Sequence, residues 1–157
     1  MHNINGLTLK IYGEGPIENE LKSIIEQEKL QEKVKLMGAL LPQELRQETL
    51  KAFIGLTLFS ATGLHHQYSL ANRFFDYFHA GIPQIAMNYP EYRSFNAKYD
   101  IACLIDTLDA TSIEDSINAL KDNEERVNEI RVNCKKAAIE NNWQIESKQL
   151  INIYDSL

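Results

Sequence analysis

Short apolar runs alternate with helix-period segments along nearly the whole chain, and that alternation restricts the fold more than any other feature. Leu7-Thr8-Leu9-Lys10-Ile11-Tyr12 reads as a strand and stops at Gly13-Glu14-Gly15-Pro16. Ile17, Leu21, Ile24 and Ile25 then recur at helical spacing, with Glu18, Glu20, Lys22 and Glu26 on the wet face. Val34-Lys35-Leu36-Met37 is a second short strand ended by Gly38, and Pro42 opens a second helix. Phe53 to Phe59 is nearly all apolar, which predicts a strand covered on both faces and near the centre of its sheet. A polar loop, Ser60 to Tyr68, leads into a helix from Ser69 to Ala80, with Gly81 as its C-terminal cap. Pro83 to Met87 is the fourth strand, Glu91 to Lys98 a short helix, and Ile101 to Ile105 the fifth strand. Thr111 or Ser112 is expected to cap the next helix, and two more helical stretches follow, Val127 to Asn141 and Trp143 to Leu157. The pattern predicts an α/β fold with a doubly wound parallel sheet, whose ligands sit at the carboxyl ends of the strands.

Composition narrows the class. With 157 residues, 44% hydrophobic and 24% charged, the chain is expected to be one domain able to bury its own core. A net charge of −6 argues against a nucleic-acid or anionic-membrane surface spread over the whole protein. Cys103 and Cys134 lack metal-type spacing and read as reduced thiols of a cytoplasmic protein. No apolar run approaches the length of a membrane span. Met1 to Gly6 has neither the basic segment nor the apolar block of a signal peptide.

Four places could carry chemistry. The turn Gly13-Glu14-Gly15-Pro16 joins a strand to a helix, and its glycines either admit a ligand close to the backbone or simply make a tight turn. In Ser69-Leu70-Ala71-Asn72-Arg73, Ser69 is the expected cap, leaving N–H groups at the helix start for an anion. Arg73 suits a phosphate, and Asp76, one turn on, can accept both hydrogens of a ribose diol. The bland alternative is an exposed Arg–Asp pair over a buried stripe of Leu70, Phe74 and Phe78. His65 and His66 lack a third ligand, so no metal is expected there, and the two read as loop-tip residues or substrate contacts. Glu91, after Pro90, either caps a helix through charge and dipole or accepts a sugar hydroxyl.

Taken in order, these motifs resemble the C-terminal half of GT-B fold retaining glycosyltransferases, the family called glycosyl transferases group 1. The resemblance rests on Ile11 to Pro16, Val34 to Gly38, Ser69 to Pro83, Pro90-Glu91 and the ending Ile153 to Leu157. It implies a Rossmann-like domain that binds a nucleotide diphosphate sugar as substrate, without a cofactor or metal. Gly13 and Gly15 would lie near the donor phosphates or the facing domain, and Gly38, Ala39 and Leu40 near the base. Ser69, Leu70 and Ala71 would present N–H groups to the diphosphate. Asn72 joins them in the donor site, Arg73 would stabilise the leaving group, and Asp76 would bind the ribose. His66, Tyr68 and Glu91 are candidate sugar contacts. Tyr68 stands where the family has the first acid of its acid pair, Asp76 where it has Glu, and Arg73 where it often has Lys. Residues 1–157 do not include the basic pair that the family carries ahead of the glycine turn, and the resemblance implies an N-terminal acceptor domain or partner chain beyond them. The expected function is therefore the donor-binding half of a glycosyltransferase in glycan or polysaccharide synthesis. The alternatives are a stand-alone binding subunit that needs a partner chain, or a non-catalytic flavodoxin-like module.

Overall fold

The computed structural model describes residues 1–157. The chain forms two compact units, Met1–Glu48 and Thr49–Leu157. No helix is long and apolar enough to cross a membrane.

The first unit contains β1 (Leu9–Tyr12), α1 (Glu18–Gln27), β2 (Val34–Gly38) and α2 (Pro42–Thr49). β1 and β2 pair in parallel, Leu9 opposite Val34, with the register slipping between Ile11 and Tyr12. Ile4 and Val34 supply its buried apolar side chains. Lys33 pins the leading segment: its Nζ donates to the carbonyls of Met1, His2 and Ile4 at 3.2, 2.8 and 3.0 Å. At the other end of the sheet, the Tyr12 hydroxyl donates to Glu48 at 2.9 Å.

The second unit contains β3 (Gly55–Thr57), α3 (Leu64–Gln67), α4 (Asn72–His79), β4 (Gln84–Met87), α5 (Pro90–Tyr99), β5 (Ala102–Ile105), α6 (Ala110–Lys121), α7 (Glu124–Glu140) and α8 (Trp143–Asp155). Its three strands are parallel in the order β3-β4-β5. The alternation of strands and helices is thus as the sequence predicts. One placement is not. The Phe53–Phe59 run contributes a strand of only three residues, and β3 lies at the edge of its three-stranded sheet. β4 holds the centre, with all four residues buried. Its apolar run is masked in the sequence by Gln84, a polar residue that a central strand tolerates only when fully hydrogen-bonded. Gln84 meets that condition through Thr57 and the Phe74 carbonyl.

The core of this unit is rich in aromatic rings. Phe74 and Phe78 of α4 are fully buried, as their spacing implies, with Ile85, Tyr92, Ile101, Leu120 and Ile130 around them. α4 ends as expected at Gly81, with φ +72. The Ile82 N–H reaches the Tyr77 carbonyl at 2.9 Å and the Gly81 N–H the Phe78 carbonyl at 3.0 Å, the paired bonds of a Schellman cap. Two expected N-caps move. Asp109, not Thr111 or Ser112, caps α6, accepting the Ser112 N–H at 2.9 Å. α4 begins at Asn72, so Ser69 does not cap it; the Ser69 hydroxyl donates to the carbonyl of His65 in α3 instead.

Candidate functional site

In the second unit the candidate residues gather after β3 and β4. Phe59, just past β3, is the hub of the loop that follows. Its ring lies 5.7 Å from His66, 5.6 Å from Tyr89 and 6.0 Å from Tyr92, and its carbonyl accepts the Tyr89 hydroxyl at 2.9 Å. Thr62 and the Nδ1 of His66 hydrogen-bond at 3.0 Å, and the His65 and His66 rings lie 3.9 Å apart. The sequence reading has a loop from Ser60 to Tyr68, but both histidines lie on the one-turn helix α3, which these contacts brace. Tyr68 is 60% exposed.

The chain then turns into α4. Ala71 is the N-cap residue, in extended geometry at φ −70 and ψ 143, and no side chain caps the helix. The Ala71 N–H is bonded to the Tyr92 hydroxyl at 2.8 Å. The next two N–H groups, of Asn72 and Arg73, have no partner in the fold. Arg73 and Asp76 are exposed on this first stretch of α4, and no ion pair joins them. The arrangement offers free N–H dipoles and a guanidinium at a helix start, with a carboxylate one turn on. Such a set can hold an anion and a vicinal diol.

Burial pushes the Tyr92 hydroxyl above its ordinary pKa, while the bond from Ala71 and the charge of Arg73 pull the other way. Tyr77 is likewise raised mainly by burial, and the charges of Arg73 and Asp76 act on it with opposite signs. Both phenols therefore stay neutral and protonated near pH 7. Glu91 is exposed in the first turn of α5, behind Pro90, and bonds no backbone N–H as a cap. Leu70 is half-buried.

Sequence reasoning missed Asp106 and Arg93, which join Asn88 in a polar cluster at the ends of β4 and β5. The Asn88 amide donates to Asp106 at 2.6 Å, and Arg93 donates to the Asn88 side chain and carbonyl at 2.9 and 3.0 Å. It also missed Tyr92. Only the position after the fourth strand could have flagged either.

In the first unit, Gly13 has φ +132 and Gly38 φ +70, so the backbone itself selects glycine at both. The Gly13 N–H bonds the Gly38 carbonyl at 2.8 Å, bringing the two expected contact points together. Gly15 differs: its φ is not left-handed, and a Cβ there would meet nothing within 4 Å. The fold has no internal need for glycine at that position. Ala39 is exposed and Leu40 half-buried beside Gly38.

Comparison with known proteins follows the same outline. No curated protein matches the chain in sequence. Among solved structures, the crystal structure of Anabaena HepE in complex with UDP matches with a TM-score of 0.82 at 14% identity. That match covers 98% of this chain and 42% of the other, so the chain spans less than half the length of its structural neighbour. At that identity the likeness establishes the fold, the Rossmann-like half of a GT-B protein. The sequence pattern of glycosyl transferases group 1 matches residues 2–141, nearly the whole chain. The chain belongs to the glycosyl transferases group 1 family.

Proposed function

We propose that this chain is the donor-binding half of a glycosyltransferase, acting in glycan or polysaccharide synthesis in the cytoplasm. It binds a nucleotide diphosphate sugar and presents it to an acceptor held by a domain or chain beyond these residues. The observation that carries this reading is the start of α4: two unpartnered N–H groups, with Arg73 and Asp76 exposed and not paired to each other.

In the reaction the bond between the sugar and the diphosphate breaks, and negative charge develops on the leaving phosphate oxygens. Fixed N–H dipoles and the Arg73 guanidinium stabilise that charge without reorganising. Asp76 accepts hydrogen bonds from the ribose hydroxyls and sets the register of the nucleotide. Ser69 and Leu70 complete the turn around the diphosphate, while His66, Tyr68 and Glu91 are assigned to the sugar. HepE was crystallised with UDP, which makes UDP the first ligand to test on this chain.

The test is titration of the chain with UDP, GDP and ADP. Arg73→Ala and Asp76→Ala should each weaken the preferred nucleotide by about 1–3 kcal/mol, the usual cost of losing a charged hydrogen bond. Neither should move the melting temperature appreciably, since both side chains are exposed. Loss of stability without loss of binding would make them a surface feature only. Because the charge is met by Arg73 and backbone groups, EDTA should leave nucleotide affinity unchanged.

A further inference from the structure

The Tyr92 hydroxyl accepts the Ala71 N–H at 2.8 Å, a contact between residues 21 positions apart. Its ring has no exposed surface. Phe74 packs edge-on against it at 4.9 Å, and the Phe59 ring lies at 6.0 Å. For this apolar setting a phenylalanine would serve as well. Burying a hydroxyl is costly unless it is bonded, and the partner recorded for this one is Ala71. The hydroxyl therefore serves the turn, not the core. What it fixes is the residue immediately before the two unpartnered N–H groups, held at the extended angles from which α4 starts.

Resting on the donor-site reading above, we propose that Tyr92 is a positioning residue for the diphosphate. It never touches the ligand. By tethering Ala71 to α5, it sets the direction in which the Asn72 and Arg73 N–H groups leave the helix. Ala71 thereby spends its own N–H on the protein and acts as a fixed hinge pin, while its two successors do the binding. Without the tether the Ser69–Ala71 turn gains freedom, and that freedom must be removed each time a diphosphate binds.

Tyr92→Phe tests this, because it keeps the ring and deletes only the acceptor. The full chain, wild type and variant, would be titrated with UDP and with uridine by NMR. The quantity to compare is the preference for UDP over uridine, which isolates the diphosphate. The expected result is a roughly five- to tenfold smaller preference in Tyr92→Phe, the scale of one lost hydrogen bond, with uridine affinity unchanged. An unchanged preference, or equal weakening of both ligands, would overturn the role of Tyr92 while the donor site stands. A wild-type chain showing no preference for UDP would overturn both. Should the variant fail to fold, the wild-type amides decide. On adding UDP, the Asn72 and Arg73 amide signals should shift while that of Ala71 stays put and slow to exchange. A large shift at Ala71 would mean that the ligand takes its N–H from Tyr92.

Discussion

The Thr57 hydroxyl donates to the side-chain carbonyl of Gln84 at 2.9 Å, and neither residue is exposed to water. The Gln84 amide donates in turn to the Phe74 carbonyl at 3.0 Å, so one side chain ties β3, β4 and α4. Thr57→Val should cost about 1–3 kcal/mol, because it leaves a buried carbonyl without a donor. Gln84→Leu should cost a similar amount. The double variant should lose less than the sum of the two, since each partner's removal already strands the other. Urea denaturation of the four proteins would show this, and strict additivity would refute it.

Gly55 is a second fixed point under α4. A Cβ there would come within 2.4 Å of the Tyr77 ring. Gly55→Ala should therefore destabilise by about 1–3 kcal/mol, as overpacking does. In a Tyr77→Ala background the same substitution should be nearly free, which thermal melts of the pair would reveal.

Two carboxylates should make the fold acid-sensitive. Hydrogen bonds from Arg126 hold Asp100 below its usual value of 3.8, against the opposing effect of burial. Hydrogen bonds from the Thr107 hydroxyl and from the Ser112 N–H and hydroxyl hold Asp109 down to about 2. Both groups are more acidic folded than unfolded. Their contribution is therefore complete above the unfolded value and is lost as pH falls through the folded one. Stability should decline from about pH 4 downward. Asp100→Asn and Asp109→Asn should each flatten that decline. Asparagine tolerates the left-handed backbone at position 100, where φ is +52, so the first variant isolates the charge. Curves parallel to wild type in both variants would sink the idea.

The isolated chain should bind nucleotide without transferring sugar at a useful rate. Much of the barrier reduction in such a reaction comes from holding donor and acceptor in one geometry, and on the function proposed above this chain supplies only the donor side. Affinity should be weak, with a dissociation constant on the order of 1 mM, equivalent to about −4 kcal/mol. Incubation with UDP-sugars and a panel of acceptors would check this, and robust turnover by the chain alone would contradict it.

What could be read in the sequence was whatever local pattern decides. The buried faces of α4 follow from the spacing of Phe74 and Phe78, and its end from Gly81. The glycine turns after β1 and β2 announce themselves by residue type. Features settled by distant partners were hidden. Gln84 looks like a poor central-strand residue until Thr57 and Phe74 answer its amide. Ser69 is the right kind of residue for an N-cap, but its hydroxyl is taken by His65. Thr107, Asp109 and Ser112 form one hydrogen-bonded group, so choosing the cap of α6 from residue type alone selects the wrong member. Nothing near Tyr92 in the chain hints that its hydroxyl ends at Ala71.

The sole tryptophan, Trp143, sits at the start of α8 and is 69% exposed, on a helix with no buried residue. Its emission in the native protein should already resemble that of an indole in water. A fluorescence melt of this chain would therefore follow α8 and stay nearly silent while the core came apart. Unfolding of the core must be read from the buried tyrosines, Tyr92 and Tyr99, in the near-ultraviolet. The same indole becomes a clean reporter for anything that covers α8, because little else in the molecule can move its signal.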